Sequence, residues 1–362
     1  MTKQELEFYK GKKILVTGHT GFKGSWLCRI LALAGAKVTG YSLAPEETSL
    51  YPLAAKSAEE NGSLTSVIAD IRDYDRLLAV MQETEPELVL HMAAQPIVRT
   101  SYEKPRYTYE TNVMGTVNLC EAIRHTPAVR SFLNVTTDKV YKNEERGEAF
   151  REDEPLDGFD PYSNSKSCSE LVTHSYVNSF LVERGVAVST ARAGNVIGGG
   201  DFARDRIIPD SVRAAMAGET IKVRNPYSIR PFQHVMEPLF MYLTILRAQA
   251  LEPNLAGAYN IGPEDTDCVT TGDLVTRFCD AWNRTGAEGE KSLTWENVGN
   301  LGPHEATFLK LDCSLARKTF GWKPVWNIDR ALEETVAWTR VYQAGGDIEA
   351  EMNREIEAFL EA

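Results

Sequence analysis

This sequence lacks a CxxC pair, a basic block and a long apolar run. Its six cysteines stand scattered at positions 28, 120, 168, 268, 279 and 313, without zinc-ligand or redox spacing. Buried free thiols in a reducing compartment are expected, and no metal. Lysine and arginine number 39 against 51 acids, a formal net charge of -12. With no basic cluster to offset that charge, a nucleic-acid surface is excluded. An anionic ligand would depend on local donors, such as backbone amides or a few placed arginines. No stretch approaches the roughly 18 uninterrupted apolar residues of a membrane span. Met1 to Lys13 is polar and charged, unlike a signal peptide. A cytoplasmic protein without membrane or nucleic-acid partners is expected. Internal repeats, low-complexity tracts and polar linkers are lacking too, so 362 residues point to about two closely joined domains.

The first half of the chain alternates between short β-branched runs and longer helical patterns. Strands are expected at Lys13 to Thr17, Ala36 to Tyr41, Ser66 to Ala69, Leu88 to His91, Ser131 to Val135 and Val186 to Ala191. Asp73 can cap a helix carrying Leu77, Leu78 and Met81. Such alternation implies βαβ units and an α/β fold with a doubly wound parallel Rossmann-type sheet. After about Arg192 the pattern breaks, and glycines and prolines become dense (Gly198-Gly199-Gly200, Pro209, Pro226, Pro231). Residues 1–192 are read as a dinucleotide-binding domain, with contributions from about 233–260. Residues 193–362 are read mainly as a smaller, interleaved substrate-binding domain closing over the carboxyl edge of the sheet. His234 is read as structural, Trp322, Trp326 and Trp338 as core, and the two-faced helix from Ile348 as a docked tail.

Thr17-Gly18-His19-Thr20-Gly21-Phe22-Lys23-Gly24 follows the first strand and opens a helix. Glycine is needed where backbone turns sharply or approaches a pyrophosphate, and the helix N-terminus supplies amides and positive dipole. The acid that would hold an adenosine ribose is missing from the second strand end, Tyr41-Ser42-Leu43-Ala44. No Arg or Lys stands there for a 2′-phosphate, so NAD is expected over NADP. His19 and Lys23 either touch the pyrophosphate or are solvated loop charges. Asp70 either accepts from the adenine amino group or shares a helix cap with Asp73. Also expected on the cofactor side are Ile71, Ala93, Ala94, Gln95, Asn112, Thr136 and Arg192; the plain alternative for the small residues among them is helix–strand packing.

Tyr162 and Lys166 lie four apart, on one face of a helix. A tyrosine with a pKa near 10 is a poor base at neutral pH, but an ammonium and a positive nicotinamide ring both favour the phenolate. Tyr162 could then take a proton from a sugar hydroxyl while hydride leaves for the cofactor. A YxxxK spacing alone is mostly structural; a glycine loop upstream and a strand ending in Thr136-Thr137-Asp138-Lys139 change that.

These motifs together resemble the extended short-chain dehydrogenase/reductase family, and more closely the CDP-glucose 4,6-dehydratases. The matching segments are Gly18 to Trp26, Thr137 to Asn143, Gly194 to Phe202 and Arg230 to Pro238. Phe202 and Phe232 stand where the family leads one to expect Trp. The resemblance implies an NAD-dependent lyase. In it Tyr162 deprotonates the sugar 4-hydroxyl, Thr137 hydrogen-bonds the same oxygen, Asp138 is the acid toward the 6-hydroxyl, and water is lost. Related dTDP-glucose enzymes carry Glu where this chain has Lys139. The CDP-glucose subgroup carries Lys, which favours Lys139 as the C5 base over a plain ion pair with a neighbouring acid. Asn195 is expected beside the nicotinamide or the sugar. Arg230 and Arg206 are candidates for the diphosphate, and His304 is implied where the family closes its pocket; surface charges or loop-fixing bonds are the alternatives. A homodimer through the tyrosine helix and the one before it is implied by resemblance alone. The rival readings are a dehydratase of another nucleotide-glucose, a nucleotide-sugar 4-epimerase and a non-catalytic NAD-binding sensor.

Overall fold

Seven runs of mostly apolar residues become one parallel sheet in the structure, a computed structural model that describes residues 1–144, 147–286, 289, 291–299 and 309–362. The strands are β1 (Lys13–Thr17), β2 (Lys37–Ser42), β3 (Leu64–Ile68), β4 (Leu88–His91), β5 (Ser131–Val135), β6 (Ala187–Ala193) and β7 (Ala258–Ile261). They stand in the order β7-β6-β5-β4-β1-β2-β3, and every neighbouring pair is parallel. Every residue of β4, β5 and β6 is buried, because helices cover both faces. The doubly wound parallel sheet expected from the alternation is therefore present, and its first six strands lie within two residues of their expected bounds. β7 joins from far beyond the regular region; its run Ala258-Tyr259-Asn260-Ile261 has no period that would announce it.

The principal helices are α1 (Phe22–Leu33), α2 (Tyr74–Thr84), α3 (Gly115–Arg124), α4 (Pro161–Tyr176), α5 (Ile207–Ala217), α6 (Met236–Leu251), α7 (Thr271–Arg284), α8 (Ile328–Gln343) and α9 (Ile348–Glu361). Asp73 caps α2 by accepting the Arg76 N–H at 3.0 Å, and Asp160 caps α4 ahead of Pro161. On one face of the sheet, Trp26, Ile30 and Leu31 of α1 share a core with Leu239 and Leu243 of α6 and Ile356 of α9. On the other, Leu77 and Met81 of α2 and Leu119 and Ile123 of α3 pack on Leu15, Val89 and Phe132. A separate core joins Ile208, Leu274, Phe278, Trp282, Leu332 and Val336, from α5, α7 and α8. Trp322, Trp326 and Trp338 are buried as expected. So is His234, whose ring lies against Trp26 and Trp326. The α9 tail docks by Ile348, Met352, Ile356 and Phe359, the last stacked on Phe240 with centroids 4.9 Å apart. None of the six cysteines is in a disulfide. Among the described residues no helix is long and apolar enough to cross a membrane.

The strand order reverses between β1 and β4, which opens a crevice at their carboxyl ends. Polar side chains fix that edge from below. Thr17 accepts the Met92 and Ala93 N–H groups at 3.1 Å each and meets His91 Nδ1 at 2.7 Å. The far side of His91 reaches Thr116, which bonds Ser169 of α4, and Ser169 accepts from Asn134 of β5. Burial of His91 lowers its pKa from 6.5 to about 3, with Lys166 adding to the effect. Since the folded state disfavours the extra proton, its contribution to stability is complete above about pH 6.5 and is lost as pH falls toward the folded value. The stability gap between the native chain and His91→Asn should shrink by about 2 kcal/mol between about pH 6.5 and about pH 5. Urea unfolding at the two pH values measures it, and a constant gap would contradict a buried neutral imidazole.

Candidate active site

The loop between β1 and α1 is a cradle that side chains would fill. Gly18 has φ +77, and a Cβ there would lie 2.7 Å from the Ala93 nitrogen; one on Gly24 would lie 2.2 Å from the Gly18 carbonyl oxygen. Gly21 opens α1 without a side-chain cap, so the first-turn amides face the crevice with the helix dipole behind them. This surface fits a pyrophosphate. Thr20 is turned inward, bonding Ser42 at 2.8 Å and the Leu43 carbonyl at 2.9 Å, which ties the loop to the end of β2.

His19 follows neither reading open in the sequence. It is fully buried: Nε2 meets Ser66 Oγ at 2.8 Å, and the ring lies edge-on to Tyr51, where only a glycine at position 40 leaves room. Burial lowers its pKa to about 4, so it is a neutral peg that anchors the loop to β2 and β3. Lys23 is not a solvated loop charge either. Its ammonium lies 5.8 Å from the Tyr242 ring centre and within electrostatic reach of Arg206, Lys166, Asp138 and Lys139. Burial first, and then those cations, lower its pKa to about 8.

At the carboxyl end of β5 the chain turns through Thr137, Asp138 and Lys139. Asp138 is fully buried, and its Oδ1 accepts from the Thr137 hydroxyl at 3.0 Å and from Lys139 Nζ at 2.8 Å. Its Oδ2 is buried without a hydrogen-bond partner. Lys139 is thus held in the ion pair that was its plainer reading. Tyr162 stands in the first turn of α4, where the Thr137 hydroxyl acts on its phenol by favouring the ionised form. Lys166, one turn along, donates to the Val135 carbonyl at 3.0 Å, and burial lowers its pKa to about 8. The low phenol pKa expected from the sequence is not built in by the protein alone. Burial pushes Tyr162 up to about 12; Thr137 opposes that, and the Asp138 charge adds to it.

Two residues expected to face the cofactor are engaged elsewhere. Arg192 grips Glu170 through Nε and Nη2, both at 3.0 Å, and gives Nη1 to the Tyr141 hydroxyl and the Glu152 carbonyl. Thr136 donates to the same carboxylate at 2.5 Å, and Thr190 to its other oxygen at 2.7 Å. The reason is electrostatic: Glu170 is almost fully buried and needs a counter-charge and several donors to remain ionised. The Asp70 carboxylate is held by the Arg72 guanidinium, while Asp73 is the cap of α2. Gln95 and Asn112 bond each other through backbone and side chain, at 2.8 and 3.1 Å, and so set the loop that carries Ala93 and Ala94 after β4. Ile71 is buried against Gly115.

Across the crevice, Asn195 follows β6 and its carbonyl accepts from Gln233. Arg206 precedes α5, 3.5 Å from Asp201, and its charge reaches both Lys23 and Tyr162. Arg230 is buried and donates to the Ile229 carbonyl at 3.0 Å. His304 lies outside the described residues. Sequence reasoning missed Asp205, in a left-handed conformation (φ +61) and paired with Arg99 at 3.3 Å and Arg224 at 3.2 Å. It also missed Tyr242 of α6, whose buried hydroxyl has no hydrogen-bond partner. No local spacing unites side chains from such separate elements; an arginine directly after Asp205 was the only hint. A chain with net charge -12 has brought Arg206, Lys166 and Lys139, along with Asp138, within electrostatic reach of Lys23. That is an anion-binding cleft with proton carriers on its floor.

The family model described as GDP-mannose 4,6 dehydratase matches residues 15–335. The chain is 43% identical to the CDP-glucose 4,6-dehydratase of Salmonella typhimurium over 98% of each chain. It is 27% identical to a dTDP-glucose 4,6-dehydratase of Xanthomonas campestris, over 90% of this chain and 92% of that one. The fold is similar to that of the Bacillus anthracis dTDP-glucose 4,6-dehydratase in complex with NAD (TM-score 0.77, 22% identity, 94% of this chain and 100% of that one). It is also similar to that of the Bacillus cereus UDP-glucuronic acid 4-epimerase with UDP-glucuronic acid and NAD (TM-score 0.77, 23% identity, 91% and 99%).

Gly24→Ala should weaken dinucleotide binding at least roughly tenfold, about 1.4 kcal/mol, in a calorimetric titration with NAD. Unchanged affinity would show that the cradle does not hold the pyrophosphate. Glu170→Ala, which leaves Arg192 charged and unpaired in the interior, should cost about 3–5 kcal/mol in urea unfolding. A loss below about 1 kcal/mol, the scale of an exposed pair, would contradict the buried one.

Proposed function

The chain belongs to the GDP-mannose 4,6 dehydratase family, and from that premise we propose that it is an NAD-dependent hydro-lyase converting CDP-glucose to CDP-4-keto-6-deoxyglucose. The observation that carries this reading is the meeting of Tyr162, Thr137, Asp138 and Lys139 beside the glycine cradle. The 43% identity to a CDP-glucose 4,6-dehydratase supports the nucleotide and the reaction. NAD in structures of the same fold, and the fit of the cradle to a pyrophosphate, support the cofactor.

NAD bound on the cradle supplies a hydride acceptor for C4 and later a hydride donor for C6. The protein supplies the proton chemistry. Tyr162 takes the proton of the 4-hydroxyl, and Thr137 hydrogen-bonds the same oxygen. The ketone acidifies the C5 proton. Lys139 passes a proton to Asp138 along their 2.8 Å bond, which turns an ion pair into an amine base and a carboxylic acid. The amine takes the C5 proton, Asp138 protonates the departing 6-hydroxyl, and water leaves. Lys139 then returns the proton to C5 as hydride reaches C6. Arg206 and Arg230, with Asn195 and His304, are proposed to hold the diphosphate and the sugar, and Lys23 and Lys166 to lie on the cofactor side. Residues 1–192 with part of 233–260 would carry the cofactor, and 193–362 mainly the nucleotide sugar. We further propose a homodimer through α4 and the helix before it, with Leu171 exposed on α4 and Met114 exposed just ahead of α3. A cytoplasmic location is in keeping with six free thiols.

A 4-epimerase would use Tyr162 and Lys166 but has no need of a dehydrating acid and base, so the Asp138–Lys139 pair favours the dehydratase. Parallel incubation with CDP-, dTDP-, UDP- and GDP-glucose should give a product that absorbs in alkali, with CDP-glucose favoured at least about tenfold in kcat/KM. Tyr162→Phe should lower that rate about 10²- to 10⁴-fold. An epimer without alkaline absorbance, or equal activity in the Phe variant, would defeat this assignment.

A further inference from the structure

The proposed reaction needs a phenol and a carboxylic acid at two oxygens of one sugar, and the chain puts these groups on different elements. Tyr162 stands in the first turn of α4, while Thr137, Asp138 and Lys139 leave the end of β5. A relative shift of about 1 Å between two such elements can cost about 10²-fold in rate. Something has to hold them in register.

β5 ends at Val135, and the Thr136 N–H makes one more ladder bond, to the Ala191 carbonyl at 2.9 Å. Past it the chain turns through Asp138–Val140. α4 holds that turn. Asn134 donates to Ser169 at 3.0 Å and to Thr173 at 2.8 Å, and the Val135 carbonyl accepts from Lys166 at 3.0 Å. Thr136 then donates to Glu170 at 2.5 Å. On the far side of the catalytic segment, Ser167 donates to the Val140 carbonyl at 2.7 Å. Glu170 and Ser167, three apart on one helix face, thus grip the chain just before Thr137 and just after Lys139. Both are buried, as is Thr136. Charge alone does not explain the Thr136 bond. Arg192 already reaches both Glu170 oxygens at 3.0 Å, and Thr190 adds a third bond, to Oε2. What Thr136 adds is a link from that anchored carboxylate to the residue next to Thr137.

We infer that Thr136, Ser167 and Glu170 are positioning residues: through them α4 clamps both ends of the catalytic segment and holds Asp138 at a fixed spacing from the phenol on the same helix. This role rests on the dehydratase reading above. Tyr162 and Glu170 lie eight residues apart, roughly 12 Å along one helix. A carboxylate anchored on β6 through Arg192 therefore fixes the helix that carries the phenol and the strand end that carries the acid together.

Thr136→Val removes the donor at nearly constant shape, and Thr136→Ser keeps it. On enzyme saturated with NAD, the Val variant should lower kcat for CDP-glucose about 10- to 100-fold. Its KM and NAD affinity should stay near native, the pattern of a lost alignment rather than a lost binding contact. Ser167→Ala should do the same from the other end of the segment, and Thr136→Ser should restore most of the rate. The control is Thr190→Val, which takes one bond from the same carboxylate but from the middle of β6. It should unfold at a urea concentration close to that of Thr136→Val, yet keep the native kcat. If the threonines merely stabilise the Glu170 charge, the two Val variants lose activity together or not at all, and either result overturns the clamp. So does a native kcat in Ser167→Ala. Should Thr136→Val fail to fold, which its melting curve and NAD titration reveal, Thr136→Ala gives the same comparison. With native turnover intact, such results sink the clamp alone. A native chain that makes no 4-keto-6-deoxy product sinks the dehydratase reading, and the clamp's role with it.

Discussion

A carboxylate removed from water at the end of a buried strand is the constraint around which the rest of this molecule is arranged. Burying Asp138 without partners would cost several kcal/mol. The structure offsets this with a hydroxyl and an ammonium on Oδ1 and with the Lys23 ammonium within electrostatic reach. Oδ2 is left buried with no partner. A carboxylate already desolvated and with one oxygen unpartnered keeps that oxygen for whatever enters beside it. The phenol of Tyr162, the threonine between them and the ammonium of Lys139 all take their meaning from that carboxylate.

The scaffold serves this group by putting one strand end in a fixed place. β5 is wholly buried between β4 and β6, and its side chains bond α4 through Asn134 and α6 through Ser131. α4 in turn carries Tyr162 and Lys166 toward the crevice and Glu170 toward Arg192, so one helix serves both the chemistry and the buried ion pair. The glycine cradle is held in the same way: His19 pegs it to β2 and β3, and Thr20 ties it to Ser42. Arg192 and Thr136, expected toward the cofactor, instead satisfy the buried Glu170 carboxylate, which the fold could not leave unpaired.

Lys166 shows the limit of spacing arguments. Four residues apart on a helix does bring it one turn from Tyr162, but its ammonium is taken by the Val135 carbonyl. The phenol of the protein alone is accordingly harder, not easier, to ionise than a free tyrosine. Activation must therefore come from Thr137, from the neighbouring cations and from the positive charge of a bound oxidised nicotinamide, rather than from the lysine by itself.

Much of this was legible in the order of residues. Local periodicity and glycine placement determined six of the seven sheet strands, the cap at Asp73 and the cradle at Gly18, Gly21 and Gly24, because each depends on neighbours a few positions away; the roles of Thr137, Asp138 and Lys139 beside Tyr162 came from the family resemblance. Only the tertiary structure decided that Ala258–Ile261 closes the sheet, that Glu170 claims Arg192, that Gly40 makes room for His19, and that Lys23 reaches a carboxylate over 100 residues away in the chain. Burial is a property of the whole packed chain, and which charges must find partners is settled only once it is known which side chains have lost their water.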